Sequence, residues 1–336
     1  KWLSGKLVQS PVAARSGCNE RVADGLDDGH FGHARLRGAC LPAGVSAFWP
    51  RSVSRRRRRP RRRLRRARHS GPQLLVTGAG ALVLLYCWRY FEAGEEGLAR
   101  FAGVFVGFAA SMLGLVLADD VYLLFLFWEG TTIFSFLLIG HASFRRTSRA
   151  AALQALMVTT LGGLVMLVGF VIMATSAGTS QLSAILADPP TGTAATVAVF
   201  LMLVGALSKS AIFPFHFWLP GAMAAPTPVS AYLHAAAMVK AGIYLIARLG
   251  PAFGDVAGFR ETLVILGGIT MLNGGIRALR QFDIKLIVAH GTVSQLGFLV
   301  MMFGIADPRT DLAAFALLFA HAVAKAPLFL AVGIID

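Results

Sequence analysis

The feature that most constrains this chain is a series of long apolar segments that begins near Gln73 and recurs to the C-terminal end. Each segment is about 20 residues long, enough for an α-helix to cross a hydrocarbon core of roughly 30 Å. The segments lack the apolar–polar alternation of barrel strands, so their backbone groups must be satisfied within helices. The predicted fold is therefore all-α, a polytopic bundle of about nine transmembrane helices. The predicted spans are 73–91, 99–118, 120–140, 150–175, 195–223, 227–249, 260–279, 283–305 and 311–335.

The composition supports a membrane protein over a soluble enzyme. Hydrophobic residues make up 56% of the chain and charged residues 15%, against roughly 45–50% and about 25% in soluble domains. The net charge of +15 comes mostly from one arginine block between Arg51 and Arg68. A basic nucleic-acid-binding protein is an alternative that rests on this block alone, so no nucleic-acid partner is expected. Three cysteines without a CxxC pair predict no disulfide framework, and neither a metal nor a cofactor is expected.

The N-terminal 72 residues differ from the rest of the chain. They contain no sustained apolar run and end in the arginine block. The block is compatible with a nucleic-acid-binding arm, a tail that grips anionic lipid or a transit peptide. Disorder, or a start assigned in the wrong reading frame of GC-rich DNA, accounts for the composition better. The chain is accordingly divided into a basic segment, 1–72, that is left out of the fold, and a transmembrane domain, 73–336.

The distribution of positive charges predicts the orientation of the spans. Basic residues are concentrated in the connections after the odd-numbered spans, and by the positive-inside rule these connections are cytoplasmic. They are Arg89, Arg100, Arg145, Arg146, Arg149, Arg277, Arg280 and Lys285. The other connections carry only Arg248, Arg260 and Arg309.

Five ionisable side chains are predicted to lie at one depth inside the membrane. A charge at the centre of a transmembrane helix costs about 2.5–3.5 kcal/mol on insertion scales, so each of these groups requires a reason. The five are Glu129, Lys209, Lys240, His321 and Lys325. Their common depth in four helices predicts a proton relay. The alternative is that Glu129 and Lys209 form a static ion pair that joins two helices.

Further features support a transport site. Pro214 follows Lys209 by five residues and predicts a broken helix, a device that marks ion sites in transporters. His321 and Lys325 are four residues apart and therefore share one helix face. His234 and His290 are candidate proton carriers, although a hydrogen-bonded core histidine is an equally good interpretation of each. His216, just after the break, is interpreted either as part of the path or as an interfacial hydrogen-bonding residue.

Four stretches together resemble a known family. The stretch SKSAIFPFHFWLPGAMAAPTPVSAYLHAAAMVKAGIYLIARL (208–249) resembles the signature of the antiporter-like subunits shared by respiratory complex I and Mrp-type multisubunit cation/proton antiporters. LFLFWEGTTIFSFLLIG (124–140), DIKLIVAHGTVSQLG (283–297) and HAVAKAPLFLAVGIID (321–336) follow the same family in order. The motifs are most similar to those of the A subunits of the Mrp type, and the resemblance covers about residues 73–336.

The resemblance implies roles for individual residues. It makes Glu129 and Lys209 a coupled carboxylate–lysine pair and Lys240 the central lysine. It makes His234 a polar neighbour of this lysine, and His321 and Lys325 the next residues along the hydrophilic axis.

The implied activity is that of a secondary ion transporter component and not of an enzyme. It would move protons in exchange for Na+, in a bacterial inner membrane, with membrane lipid and other antiporter subunits as partners. The alternative is a proton-pumping subunit of complex I or of a membrane-bound hydrogenase.

The sequence departs from the family pattern at several positions. Gly221 replaces an Asp or Asn, His290-Gly291 replace Tyr-Ser, and Ala324 replaces a Phe. The first two family helices and the second broken helix have no counterpart. The chain is therefore expected to be an N- and C-terminally incomplete piece of the full-length family member.

Overall fold

The computed structural model describes residues 73–92, 94–95 and 97–335. The basic segment 1–72, with the expectation that it stays outside the fold, lies outside these residues. In the described part the structure is helical, and its only β-type contact is an isolated bridge between Asp120 and Gln181. The all-α prediction is confirmed.

The helices follow the predicted apolar segments. In chain order they are α1 (73–90), α2 (Leu98–Leu117), α3 (Val121–Ile139), α4 (Arg146–Ala177), α5 (Leu182–Ala187), α6 (Thr193–Lys209), α7 (Trp218–Gly221), α8 (Thr227–Ser230), α9 (Met238–Phe253), α10 (Phe259–Leu279), α11 (Ile284–Gly304) and α12 (Pro308–Ile335). Seven helical segments within the described residues are long and apolar enough to cross a membrane, with α8 and α9 counted as one. The helix α6 is a shorter apolar helix.

The predicted broken helix is present, and the break starts before the proline. α6 ends at Lys209, and Ala211 adopts a left-handed φ of 53°. The ring of Pro214 excludes the carbonyl of Ser210 from a helical hydrogen bond, which accounts for the end of α6 at this point. A short helical stretch, Phe215–Phe217, leads into α7. Within the predicted span 195–223, Lys209 therefore lies at the end of a helix, directly before the break.

The groups freed by this break find partners in neighbouring elements. The indole N–H of Trp218 donates to the carbonyl of Ser208 at 3.0 Å. The backbone N–H of Phe213 donates to the hydroxyl of Thr270 on α10 at 2.9 Å. The break is thus a fixed part of the structure, because polar groups at membrane depth need internal partners.

A second discontinuity lies in a span that the sequence predicts to be continuous. The span 227–249 consists of α8, a π-helical turn (Ala231–Ala236) and α9, and Ala237 between them departs from helical geometry with φ −122° and ψ −80°. Neither Gly nor Pro occurs within the turn or at Ala237. The whole segment is buried at the centre of the bundle.

Glycines allow the helices around this segment to approach closely. A Cβ on Gly242 of α9 would lie 2.0 Å from the carbonyl oxygen of Ala206 on α6. A Cβ on Gly205 of α6 would lie 2.5 Å from the Cβ of Met166 on α4. Small residues at helix contacts are typical of membrane bundles, where backbones pack without intervening side chains.

The two ends of the bundle differ in charge. One end holds the start of α2, the end of α3 and the start of α4, with Arg100 and Arg149; we call it the arginine-rich end. At the other end Asp119 pairs with Arg248 at 3.2 Å. There Asp120 caps α3 by accepting from the N–H groups of Tyr122 and Leu123. The Ser180 hydroxyl and these amides lower the pKa of Asp120.

Candidate ion-translocation site

Lys209 is fully buried between α6 and α3. Its ammonium group donates to the carbonyl of Trp128 at 3.0 Å and to the hydroxyl of Thr132 at 2.6 Å. It also lies 5.2 Å from the centre of the Trp128 ring. Its position in the last turn of α6 is favourable for a cation, because the negative end of the helix dipole lies there. The last residue of the broken helix is thus anchored to α3.

Glu129 lies beside this anchor but does not contact it directly. The carboxylate interacts electrostatically with Lys209, yet the ion pairs among the described residues do not include the two. One carboxylate oxygen, Oε1, is buried without a hydrogen-bond partner in the part of the chain that the structure describes. A Cβ on Gly163 of α4 would lie 2.1 Å from that oxygen. The structure therefore places the pair that the resemblance implies close together, with Thr132 as the direct partner of the ammonium.

Lys240 lies in the first turn of α9, directly after the second discontinuity. Only 4% of it is exposed, and its ammonium donates back to the carbonyl of Ala235 in the π-helical turn. The irregular turn thus provides an oxygen that a regular helix would have used internally. Backbone carbonyls freed in this way are the ligands expected at cation sites in broken membrane helices.

His321 and Lys325 on α12 complete the set. His321 is buried and interacts electrostatically with both Lys240 and Lys325. Neither of its ring nitrogens has a hydrogen-bond partner among the described residues. Lys325 is only partly buried, and its ammonium donates to the carbonyl of Val288 on α11 at 3.3 Å. The two side chains of α12 therefore face Lys240 and α11 rather than lipid, as their spacing predicts.

His234 lies in the π-helical turn and is fully buried, with both ring nitrogens unpartnered in the described part of the chain. It interacts electrostatically with Lys285 of α11, and Lys285 donates to the carbonyl of Ala225 at 2.8 Å. Lys285 also lines a cavity of about 1000 Å³ at the arginine-rich end. The interaction with Lys285 links His234 to this cavity, which we call the vestibule.

The remaining histidine candidates are less central. The ring of His216 lies 3.3 Å from the amide of Asn273, and His290 is buried with an unpartnered Nδ1 among the described residues. In the described part of the chain, neither histidine is among the residues that interact with Lys209 or Lys240.

Three parts of the site were not predicted from the sequence. Thr132 does not stand out in the sequence, because a threonine in an apolar helix commonly bonds its own preceding turn, as this one also does to Trp128 at 3.2 Å. Gly162 and Gly163 on α4 make room for Ser208 and Glu129 respectively, and a GG pair within a long apolar helix is a visible signal for close packing. From the sequence, Lys285 stands out only as one of the positive charges that predict the orientation of the spans.

Comparison with known proteins identifies the family. Residues 118–336 match the sequence profile of the family described as NADH:quinone oxidoreductase/Mrp antiporter, TM. The chain belongs to this family. The seven apolar spans among the described residues and this membership together identify a multi-pass membrane protein.

Individual relatives cover most of the described residues. A protein of Rhizobium meliloti (strain 1021), named as a probable K(+)/H(+) antiporter component of the A/B type, is 44% identical over 269 residues, 78% of this chain and 26% of the relative. The structure of the Mrp complex from Dietzia sp. DQ12-45-1b contains a chain with 44% identity and a TM-score of 0.77, and the match covers 80% of this chain and 30% of that one.

A more distant structure is the membrane-bound sulfane sulfur reductase, an archaeal respiratory membrane complex. Identity is 26%, the TM-score is 0.70, and the match covers 78% of this chain and 55% of that chain. The chain spans about a quarter to a third of the length of the curated relatives it matches.

Proposed function

We propose that this chain is part of a membrane subunit of a multisubunit cation/proton antiporter in a bacterial inner membrane. Protons move along Glu129, Lys209, Lys240, His321 and Lys325, with His234 as an accessory proton carrier. This movement is coupled to Na+ exchange. The chain acts as a transporter component together with other subunits of the complex.

One observation carries the proposal: three buried basic side chains on three helices form no direct ion pair with a carboxylate among the described residues. Lys209 is 0% exposed, Lys240 4% and His321 5%. The two lysines are held by carbonyl and hydroxyl oxygens. A purely structural charge would be paired with an opposite charge, because an uncompensated one is costly. A cation held by neutral oxygens can instead change its protonation when a neighbouring charge changes.

The relatives support antiport and leave the choice of cation to experiment. The Rhizobium relative is named for K+ and H+, whereas the similarity of the motif to Mrp A subunits favours Na+. Flux measured with Na+ or K+ as the only monovalent counter-ion distinguishes the two.

The second candidate is a proton-pumping subunit driven by redox chemistry. It is favoured by the similarity to a chain of an archaeal respiratory complex and by a family that includes NADH:quinone oxidoreductase. Neighbouring genes decide between the two: small antiporter subunits support the first, and iron–sulfur and quinone-site subunits the second.

The proposed relay is tested at its first carboxylate. In the assembled complex, we expect Glu129→Ala to abolish proton flux in inverted vesicles, because the buried lysine loses its nearby negative charge. Lys209→Ala should do nearly the same. Glu129→Asp should retain part of the activity, since the charge is kept one methylene further back.

The matched control is Glu261→Ala, which removes an exposed carboxylate in the first turn of α10. It should leave flux unchanged. Immunoblotting of the vesicles verifies that all variants are expressed and inserted. Normal flux in a well-inserted Glu129→Ala variant would reduce Glu129 to a structural role and exclude it from the relay.

A further inference from the structure

A second cavity lies at the arginine-rich end, between α2, α3 and α4. It has a volume of about 370 Å³, within the roughly 300–1,000 Å³ of small-molecule sites. Its walls are mainly apolar. They include Phe101 and Val104 from α2, Phe136 and Leu137 from α3, and Leu153 from α4.

The rim of this cleft is basic. Arg100 at the start of α2 and Arg149 at the start of α4 both line it, together with His141. Arg149 donates from Nη1 to the carbonyls of Ser143 at 2.6 Å and Phe144 at 3.2 Å. These bonds hold the guanidinium at the rim, and among the described residues Nε and Nη2 have no partner and can donate to a ligand.

The charge around the rim is predominantly positive. Partial burial and the neighbouring Arg100 guanidinium lower the pKa of His141, while the carboxylate of Glu95 acts in the opposite direction. His141 is therefore mainly a neutral hydrogen-bonding group near neutral pH, and the two arginines set the sign of the rim.

The cleft continues into the apolar outer surface of the same helices. Leu137 and Leu153 line it and are 44% and 45% exposed. Further along α3 and α4, Ile133 and Met157 are 53% and 67% exposed. An apolar surface of this kind on membrane-spanning helices is covered by acyl chains or by another apolar helix.

We propose that the cleft binds one anionic phospholipid, with its phosphate between Arg100 and Arg149 and an acyl chain along Phe101, Val104 and Leu153. Basic pockets between transmembrane helices at the membrane interface are suited to such head groups. A phosphate accepts bidentate bonds from guanidinium groups, and the net negative charge of an anionic lipid favours it over a zwitterionic one. An apolar protein segment would bring no negative charge to the two arginines.

The lipid would also affect the neighbouring vestibule. Arg100 and His141 line both the cleft and the larger cavity that contains Lys285. A phosphate on Arg100 therefore reduces the positive potential at the mouth of that cavity, where a proton would meet Lys285 and His234. The binding itself does not depend on the ion that the complex transports.

The test measures lipid bound to the purified assembled complex by native mass spectrometry. The detergent-solubilised complex is titrated with phosphatidylglycerol, with phosphatidylcholine and with inorganic phosphate in parallel. Arg100→Gln should weaken phosphatidylglycerol binding about fivefold, since one arginine near an anionic head group contributes roughly that factor. Val104→Trp should reduce the binding of both lipids by filling the acyl channel.

The matched control is Arg280→Gln, which removes an exposed arginine at the same end of the bundle, outside the cleft. It should bind phosphatidylglycerol as the wild type does. Arg100 is itself exposed, so its replacement tests the proposal even if Val104→Trp fails to fold. Equal phosphatidylglycerol binding by wild type and Arg100→Gln would overturn the proposal. Displacement of phosphatidylglycerol by millimolar inorganic phosphate alone would also overturn it. A segment of another subunit that fills the cleft in the assembled complex would do the same.

Discussion

At the residue scale, the buried ammonium of Lys209 depends on one hydroxyl. Thr132 provides its shortest contact, at 2.6 Å, and the carbonyl of Trp128 the other. Hydrogen bonds to charged groups contribute roughly 1.5–3 kcal/mol, and a buried group that loses its partner bears the full cost of desolvation. The hydroxyl therefore has a larger effect on Lys209 than its small size suggests.

Thr132→Val is the variant that isolates this hydroxyl, because it keeps the shape of the side chain and removes only the oxygen. We expect proton flux to fall by roughly tenfold or more, in line with one lost charged hydrogen bond. The neighbouring Thr131→Val is the control: its hydroxyl is equally buried and bonds the same Trp128 carbonyl at 2.7 Å, but it does not contact Lys209. Equal losses in the two variants would show that the effect comes from the Trp128 carbonyl and not from Lys209.

The difference between Thr132 and the five charged residues shows what a sequence reveals at this scale. Charges inside apolar helices are visible because their cost is large and has no other explanation. The structure brings Glu129 within electrostatic reach of Lys209, and His321 within reach of Lys240 and Lys325, whereas their roles in transport remain predictions. A threonine carries no such cost, so only the three-dimensional contact with Lys209 distinguishes Thr132 from Thr131.

At the element scale, the two irregular segments differ in how far they could be predicted. Pro214 indicates the first break, since a proline inside a helix removes one backbone donor and displaces the carbonyl four residues before it. The π-helical turn at Ala231–Ala236 has no breaker residue. It is held by side-chain contacts: the hydroxyl of Tyr232 donates to the carbonyl of Val76 on α1 at 3.0 Å, and Lys240 bonds Ala235. Contacts between distant parts of the chain leave no local signal in the sequence.

Close packing of α3 against α4 gives a prediction that concerns helix spacing. Gly163→Ala would place a methyl group 2.1 Å from the Glu129 carboxylate, far below any van der Waals distance. The carboxylate or the helix must move, and we expect roughly a tenfold loss of flux or more, equivalent to about 1.4 kcal/mol, with the complex still assembled. Flux per assembled complex, quantified after purification, is the measurement.

Gly268→Ala on α10 is the control for this prediction, because a Cβ there meets open space. It should leave flux unchanged and stabilise α10 by up to about 1 kcal/mol through helix propensity. A wild-type flux in Gly163→Ala would mean that the carboxylate has room to turn aside without loss of function.

At the scale of the whole molecule, the charges at the two ends predict one orientation, but the N-terminal region opposes it. The arginine block between Arg51 and Arg68 precedes α1, whereas Arg89 lies in the last turn of α1 and Arg100 follows that helix. Both groups favour the cytoplasmic side under the positive-inside rule, yet they flank a single span and cannot both be there. The later connections add Arg145, Arg146 and Arg149 to the second group, which favours a cytoplasmic arginine-rich end.

Cysteine labelling in intact cells tests this orientation. Ser143→Cys at the arginine-rich end and Thr191→Cys at the other end are both at exposed positions. Each is introduced into a chain whose native cysteines are replaced, with and without residues 1–72. We expect an impermeant maleimide to label position 191 and to spare position 143 in both forms, because the connections within 73–335 carry enough positive charge to fix the topology. Labelling of position 143 in both forms would invert the assignment. A result that changes on deletion would show that the arginine block, and not the helical bundle, determines how the chain inserts.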